Sequence, residues 1–313
     1  RGEDVRARLA VLSEIAGEWR TAARPLLARR PAALAGGDAL MLPQTLVGAW
    51  PLDGGPDALA GFAGRVAAWQ LKALREAKHA TDWTVPDESY ERMARSYLDF
   101  LLDDAASRET LAGIVQRIAP AGAVNGLAQL LLRLTVPGVP DTYQGTERWD
   151  LSLVDPDNRR PVDFAARAAV LAEEPPIAAL ARAWRDGRIK QAVLARTLAF
   201  RADRPRLFAE GGYQPIAIAG PRADRLVAFL RRLDDVAVAV VVPYRAAALL
   251  DGGGGIVIDR AAWSDTRLVL PRCRAMAEVV TGRALDGAAS GRLAVASALA
   301  DLPVALVALE GLA

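Results

Sequence analysis

The chain has 313 residues, which is enough for about two domains with sizeable hydrophobic cores. Hydrophobic residues make up 52% of it and charged residues 24%, a composition that excludes a disordered chain and a collagen-like repeat. Its 39 Lys and Arg residues are nearly balanced by 37 Asp and Glu residues, and no basic block occurs. We therefore expect no nucleic-acid partner.

Two rare residue types exclude several kinds of site. Cys273 is the only cysteine, so an intrachain disulfide cannot form, and His79 is the only histidine. The two residues lie far apart in the sequence, which excludes a zinc site, and no nucleophile-elbow motif accompanies His79 to indicate a Ser-His-Asp triad. No apolar run of about 18 residues occurs, so we expect no membrane span and a cytoplasmic location.

Helical patterns fill the first two-thirds of the chain. Apolar residues first recur at steps of three or four, the spacing of a buried helix face, at Val5, Leu9, Leu12, Ile15 and Trp19. The same spacing predicts a helix over 57–80, and Pro86-Asp87-Glu88 predicts the start of another, because proline and acids favour the first helical turn. Further helices are predicted near 107–119, 123–134, 162–174, 176–184 and 187–203.

The segment Val136–Gly145 differs from these helices. It reads as a short strand that leads into a loop, although Pro137 and Pro140 argue against a long central strand. A polar, turn-rich stretch follows it, up to Pro161. Charged loops on a large domain are common places for binding sites.

The periodicity changes after about residue 204. Short apolar or alternating runs predict strands at Tyr213–Ala219, Arg225–Arg231, Val236–Pro243, Arg267–Leu270, Ala277–Thr281, Arg292–Val295 and Pro303–Leu309. Such runs, separated by Gly, Pro and Asp clusters, indicate an antiparallel sheet or sandwich. Gly252–Gly255 lacks the Lys-Ser/Thr of a phosphate loop and reads as a connector.

We therefore predict a chain of mixed class, α+β or α/β, with a boundary near Arg204. Residues 1–203 would form the C-terminal part of a (β/α)8 barrel with a large helical elaboration, and residues 204–313 an antiparallel β-sandwich domain. A helical part with one strand, followed by a small β domain, is unusual as an independent unit. It is the arrangement expected at the end of a larger barrel.

The first candidate site follows the predicted strand. Tyr143 and Trp149 could offer ring faces to sugar C–H groups, while Gln144, Glu147 and Asp150 could form hydrogen bonds with hydroxyl groups. In a (β/α)8 barrel, sites lie at the carboxyl ends of the strands. The alternative is aromatic packing with helix capping.

Two further groups of polar residues are candidates. In Asp155-Pro156-Asp157-Asn158-Arg159-Arg160, arginine forks could bind paired hydroxyls or a carboxylate, or the segment could be a turn with an internal Asp–Arg pair. On the predicted helix over 57–80, Lys72, Arg75, Glu76 and His79 share one face. The alternative for this face is a solvated set of salt bridges.

The sequence from Pro137 to Glu147, PGVPDTYQGTE, resembles the eighth-strand segment of the α-amylase superfamily, glycoside hydrolase family 13. Its continuation from Trp149 to Asp163 resembles the maltooligosyltrehalose synthase family within it. Other motifs resemble the same family, namely Glu3–Arg8, Gln44–Pro51, Lys72–Lys78, Asn125–Gln129 and Gly187–Lys190. The resemblance extends to about Gly220.

This resemblance implies an activity and the place of its catalytic groups. Members convert the reducing-end α-1,4 bond of a maltooligosaccharide into an α,α-1,1 bond by intramolecular transglycosylation, as a step of trehalose biosynthesis. The chemistry needs an Asp nucleophile, a Glu acid/base and a second Asp, and no metal or organic cofactor. In the family a His-Asp-Thr-Lys motif directly precedes the segment that matches Arg1. We therefore expect all catalytic carboxylates upstream of Arg1 and the isolated chain to be inactive.

The resemblance also implies which residues contact the substrate and which partners the chain has. Residue matching carries substrate-binding roles to Tyr143, Gln144, Glu147, Asp155, Asp157, Asn158, Arg159 and Arg160, and more weakly to Lys72, Arg75 and Gln44. The expected partners are a maltooligosaccharide or glycogen-derived dextrin and the N-terminal half of the same enzyme. The alternatives are a hydrolytic family 13 enzyme and a non-catalytic carbohydrate-binding or assembly module.

Overall fold

A computed structural model describes residues 2–52, 56–250 and 252–312, without the side chains of residues 56 and 57. Arg1, the first residue of the predicted first domain, lies outside the described residues. So does Asp251, which directly precedes the glycine-rich connector. The chain divides into two compact units, one formed by residues 1–122 and 150–162 and the other by residues 123–149 and 163–313. The domain boundary near Arg204 stays a prediction.

The first unit is helical. Its helices are α1 (Glu3–Ala10), α2 (Ala16–Ala28), α3 (Gly36–Ala49), α4 (Pro56–Ala77), α5 (Glu88–Asp103) and the first part of α6 (Ala105–Thr135). The periodic segment from Val5 to Trp19 forms not one helix but two, α1 and α2, with a 3-10 turn at Val11–Ser13 between them. Helix α5 begins where the sequence predicts, because Asp87 accepts hydrogen bonds from the backbone amides of Ser89 and Tyr90, both at 3.0 Å.

Helix α6 joins two segments that the sequence predicts as separate helices. The predicted break falls at Pro120, yet the helix continues through it from Ala105 to Thr135. Ile118, Ala121 and Val124 on either side of the proline are buried, so the apolar face is continuous. Gly122 allows α6 to approach α1 closely, since a Cβ there would lie 2.8 Å from the Arg8 Cα.

The segment after α6 is not a strand. Residues 136–145 form bends and turns, and within the described part of the chain no strand pairs with them. Pro137 and Pro140 have no N–H group to donate, and extended backbone forms a ladder only beside a second strand. The predicted short strand is therefore wrong for this structure.

The second unit combines helices with two antiparallel sheets. Its further helices are α7 (Phe164–Glu173), α8 (Ile177–Arg182), α9 (Arg188–Asp203), α10 (Pro205–Ala209) and α11 (Val295–Ala298). Its strands are β1 (Gly212–Pro215), β2 (Ala217–Ala219), β3 (Leu226–Leu233), β4 (Val236–Pro243), β5 (Arg267–Val269), β6 (Cys273–Glu278), β7 (Ala284–Leu285), β8 (Arg292–Ala294) and β9 (Ala305–Leu312). The six-stranded sheet has the order β1-β3-β4-β9-β6-β7, and the three-stranded sheet has the order β2-β5-β8.

The predicted antiparallel sheet is confirmed, with local differences. Strands β3 and β4 form a hairpin in which Leu233 pairs with Val236, and β4 covers the predicted range Val236–Pro243. The run predicted at Ala277–Thr281 ends instead at Glu278, because the Thr281 backbone amide turns back to donate to the Glu278 carboxylate at 2.6 Å. The barrel and sandwich assignments stay predictions.

A buried arginine holds the end of α6. Arg231, on β3, is 1% exposed. Its guanidinium donates to the carbonyl oxygens of Thr135 at 2.8 Å, Phe208 at 3.0 Å and Gly211 at 2.7 Å. Arg201 donates to the neighbouring Leu134 carbonyl at 2.5 Å. These cations satisfy helix-terminal carbonyls that have no partner within the helix, and they fix where the chain leaves α6.

Among the described residues, no helix is long and apolar enough to cross a membrane.

Candidate functional site

The predicted site residues fall into two groups. The second unit contains Tyr143, Gln144 and Glu147. The first unit contains the others, namely Gln44, Lys72, Arg75, Asp155, Asp157, Asn158, Arg159 and Arg160.

Asp157 is the buried centre of the loop over residues 150–160. It is 6% exposed, and its carboxylate accepts two hydrogen bonds from Arg65 of α4, at 2.8 and 3.0 Å. The Leu153 backbone amide donates to the same carboxylate at 2.8 Å. Burial alone would raise the pKa of Asp157, but the hydrogen bonds from Arg65 and Leu153 outweigh it and lower that pKa. Asp157 is therefore an ionised anchor.

The remaining loop contacts close around this anchor. Arg160 donates to the Asp157 carbonyl oxygen at 3.2 Å and to the Ser152 hydroxyl at 2.9 Å. The Ser152 backbone amide donates to Asp150, and the Asp150 backbone amide donates to Asp4 of α1, at 2.8 and 2.7 Å. Asp150, predicted to bind hydroxyls, is buried and used within the loop. The contact with Ser152 is a turn within the loop rather than a helix cap, because residues 150–153 are outside any helix.

Asp155 lies at the outer side of the loop and is half-buried. Lys72 of α4 donates to its carboxylate at 2.9 Å, and Arg159 forms an ion pair with the same carboxylate. The hydrogen bond from Lys72 and the charges of Lys72 and Arg159 hold the pKa of Asp155 below its usual range, and the same pair raises the pKa of Lys72. Arg159 is exposed and Asn158 is half-buried. Lys72, Asp155 and Arg159 thus form one cluster, although the sequence patterns place Lys72 and the Asp155–Arg160 segment in separate groups.

Arg75 belongs to a different contact network on the same helix. Its guanidinium binds the Glu91 carboxylate of α5 with two hydrogen bonds, at 2.7 and 2.8 Å, and lies 5.0 Å from the centre of the Trp83 ring. Glu76 pairs with Lys72 at 3.5 Å, which makes this helix face a set of salt bridges. Gln44 is half-buried on α3.

In the second unit, an arginine of α7 holds the loop that contains Tyr143. Glu147 receives hydrogen bonds from Arg167 at 2.8 Å and from the Gly145 backbone amide at 3.2 Å. Burial raises the pKa of Glu147, but these hydrogen bonds and the Arg167 charge bring it below its usual range. Tyr143, 54% exposed, and Gln144 lie on the outside of this loop. These two residues can contact a ligand, whereas Glu147 is held internally.

The side chain of Trp149 packs within the second unit. Its indole N–H donates to the Trp184 carbonyl at 2.6 Å, and the ammonium of the buried Lys190 lies 5.6 Å from its ring centre. A Cβ at Gly187 would lie 2.8 Å from the Trp149 backbone nitrogen, so only glycine permits this approach. Aromatic packing, rather than a sugar-facing ring, describes Trp149.

Sequence reasoning missed the partners that hold these loops. Arg65 and Arg167 supply the two arginine forks, and Gln191 joins Arg148 to α7 by accepting from Arg148 at 3.0 Å and donating to the Arg167 carbonyl at 2.7 Å. Arg65 lies 92 positions from Asp157. The one feature of the sequence that could have indicated the role of Arg65 is its position as an arginine on the mostly apolar helix α4.

The chemistry available to these groups is acceptance and donation of hydrogen bonds. Asp155, Asp157 and Glu147 all have lowered pKa values and cationic partners, so they are ionised near neutral pH. A general acid needs the opposite, a carboxyl group whose pKa is raised. Across the described residues, no group of three or more His, Cys, Asp or Glu side chains could hold a metal ion.

The chain is similar to proteins of one kind over nearly its whole length. It aligns over 309 residues, 98% of its length, with a Mycobacterium tuberculosis protein that carries the name maltooligosyl trehalose synthase, at 38% identity. The solved structure of maltooligosyltrehalose synthase from Arthrobacter ramosus has a TM-score of 0.79 at 35% identity over 98% of this chain. A Sulfolobus tokodaii structure, titled as a hypothetical maltooligosyl trehalose synthase, has a TM-score of 0.72 at 26% identity over 98% of this chain.

No protein-family model matches the chain. The chain spans 36% of the length of the Mycobacterium and Arthrobacter proteins and 37% of the Sulfolobus protein. The alignments confirm the resemblance that the sequence motifs indicate. By sequence and by fold, the chain is similar to maltooligosyltrehalose synthases, of which it spans just over a third.

Proposed function

We propose that the chain is part of an enzyme that converts the reducing-end α-1,4 bond of a maltooligosaccharide into an α,α-1,1 bond, as a step of trehalose biosynthesis. The observation that supports this is 38% identity over 98% of the chain to a protein named as such a synthase. The reaction is an intramolecular transglycosylation in which the anomeric configuration is retained.

In the proposed mechanism, the carboxylates that break and form bonds belong to the remaining part of the enzyme. Retention by a double displacement needs a nucleophile and an acid/base about 5–5.5 Å apart. Asp155, Asp157 and Glu147 do not suit the acid/base role because their pKa values are lowered. The proposed contribution of this chain is to bind the sugar and to help exclude water, which would otherwise hydrolyse the intermediate.

Three exposed residues of the two loops and the half-buried Asn158 are proposed to contact the substrate. Tyr143 offers a ring face and Gln144 an amide, and Arg159 and Asn158 offer donors beside the Asp155 carboxylate. Asp157, Arg160 and Glu147 are proposed to hold these residues in place, because their side chains make hydrogen bonds within the loops. Lys72 is proposed to orient Asp155.

Product analysis on maltopentaose tests the proposal. The chain is co-expressed with the preceding part of its enzyme, and the products are separated and assayed for reducing ends. The expected product is a non-reducing sugar of unchanged length. Shorter reducing sugars would instead indicate a hydrolase.

A parallel incubation of the isolated chain tests the location of the catalytic groups. The expected result is no product. Formation of the non-reducing product by residues 1–313 alone would contradict the proposed placement of the catalytic carboxylates.

A further inference from the structure

A cleft lies between helices α4 and α5 of the first unit. Its volume of about 360 Å³ is at the lower end of the range for small-molecule sites. Ala67, Leu71 and Leu74 give it an apolar floor, and charged residues form its rim. None of its lining residues belongs to the loop over residues 150–160.

The charges on the rim compensate one another. Arg75 pairs with Glu91 at 2.7 Å and Arg92 with Glu88 at 3.4 Å, while Arg95 pairs with Asp99 at 2.8 Å. An anionic ligand would have to compete with these carboxylates for the guanidinium groups. A neutral ligand that carries many hydroxyl groups can donate to the carboxylates and accept from the arginines without separating a pair.

An exposed tryptophan adjoins the cleft through Arg75, which lines the cleft and lies against the Trp83 ring. Trp83 is 55% exposed, and it is the one exposed residue of the seven tryptophans, all of which are described. Its loop is held by Asp82, whose carboxylate accepts from the Thr84 and Val85 backbone amides at 2.6 and 2.7 Å. The backbone beside Trp83 is therefore fixed and Arg75 lies against its ring before any ligand arrives, which lowers the entropic cost of binding.

We propose that Trp83 and the cleft between α4 and α5 form a binding site for a neutral α-glucan chain. A glucose ring has an apolar C–H face, which suits the exposed indole, and a hydroxyl edge, which suits the compensated rim beside Arg75. The apolar floor accommodates a second ring. The choice of glucan among neutral polyhydroxyl ligands rests on the proposed function.

Fluorescence quenching and calorimetry of the 313-residue chain test this site. Because Trp83 is the exposed tryptophan, maltoheptaose should reduce quenching by acrylamide, which is uncharged and does not compete for Arg75. Trp83→Ala should abolish this protection and weaken maltoheptaose binding at least tenfold in calorimetry. Leu71→Arg, which fills the cleft from an exposed position, should weaken binding while Trp83 remains.

Tyr244→Ala is the matched control, because Tyr244 is 48% exposed and belongs to the other unit. It should bind maltoheptaose as the wild-type chain does. Circular dichroism confirms that each variant is folded. Wild-type affinity in both Trp83→Ala and Leu71→Arg, tighter binding of glucose 1-phosphate than of maltoheptaose, or no binding to the wild-type chain would overturn the proposal.

The outcome is separable from that of the proposed function. Product formation from maltopentaose by the co-expressed enzyme, combined with no effect of Trp83→Ala on glucan binding, would refute this site alone. Trp83-dependent binding of maltoheptaose without product formation would refute the proposed reaction and leave the glucan site standing.

Discussion

Replacement of Arg231 by methionine should destabilise the second unit strongly. The methionine fills much of the space of the arginine stem but donates no hydrogen bond. Three carbonyl oxygens, those of Thr135, Phe208 and Gly211, would lose donors at 2.7–3.0 Å in a buried position. Each hydrogen bond from a charged donor contributes about 1.5–3 kcal/mol. The variant also avoids burying a cation, which offsets part of the loss.

We expect a net loss of about 3 kcal/mol in the free energy of unfolding. Urea denaturation followed by circular dichroism measures it, and an m-value of about 3 kcal/mol/M makes the loss a midpoint decrease of about 1 M. Arg206→Met is the control, because Arg206 pairs with Glu210 at an exposed position, and its midpoint should not move. A loss below about 1 kcal/mol for Arg231→Met would refute the reasoning, since it would mean that the carbonyls find other donors.

Four further outcomes are expected. The folded-state pKa of Asp157 is lowered, so its ionised form stabilises the fold above its ordinary pKa near 4, and this stability is lost as the pH falls through the folded-state pKa. Asp157→Asn should therefore be less stable at pH 7 and lose less stability than wild type between pH 7 and pH 3 in urea titrations; equal losses would contradict the role of the carboxylate. Gly187→Ala should cost about 1–3 kcal/mol more than Gly252→Ala in the same assay, because both glycines have φ +78° but only at Gly187 would a Cβ meet neighbouring atoms. Glu278→Ala should lower the free energy of unfolding by about 2–4 kcal/mol, because this carboxylate accepts from the Val280, Thr281 and Leu306 backbone amides, and a neutral result would show that the turn does not need it. Tyr143→Ala should leave the urea midpoint unchanged and raise KM in the co-expressed enzyme, whereas an unchanged KM would remove Tyr143 from the proposed sugar contacts.

The sequence predicts elements that are set by local patterns. Strand β4 is a continuous run of valine and alanine that follows the tight turn after Leu233 and ends at Pro243, so its range Val236–Pro243 could be predicted to the residue. Asp87 caps α5 through the amides two and three positions ahead. In both places the interactions that fix the element lie within a few residues of it, and periodicity and capping rules capture them.

Features that depend on contacts between distant segments could not be predicted from these local patterns. Pro120 predicted a helix break, but the burial of Ile118, Ala121 and Val124 carries α6 through it. Residues 136–145 have strand-like composition, yet a strand also needs a neighbour, which composition does not encode. The arginine that anchors Asp157 lies 92 positions away in α4, and no local spacing rule reaches so far.

In both loops, some residues hold the loop in place and others are exposed, and this difference decides which role each residue can have. In each loop one buried or half-buried carboxylate, Asp157 or Glu147, binds an arginine from a helix of the same unit and a backbone amide of its own loop. These carboxylates fix the backbone, so under the proposed function substitution there should alter stability and sugar affinity together. The exposed side chains, such as Tyr143 and Arg159, contribute little to the fold, so substitution there should alter affinity alone. The resemblance assigns all these residues to the substrate as one set, whereas the hydrogen bonds separate those that hold the loops from those that are proposed to contact the sugar.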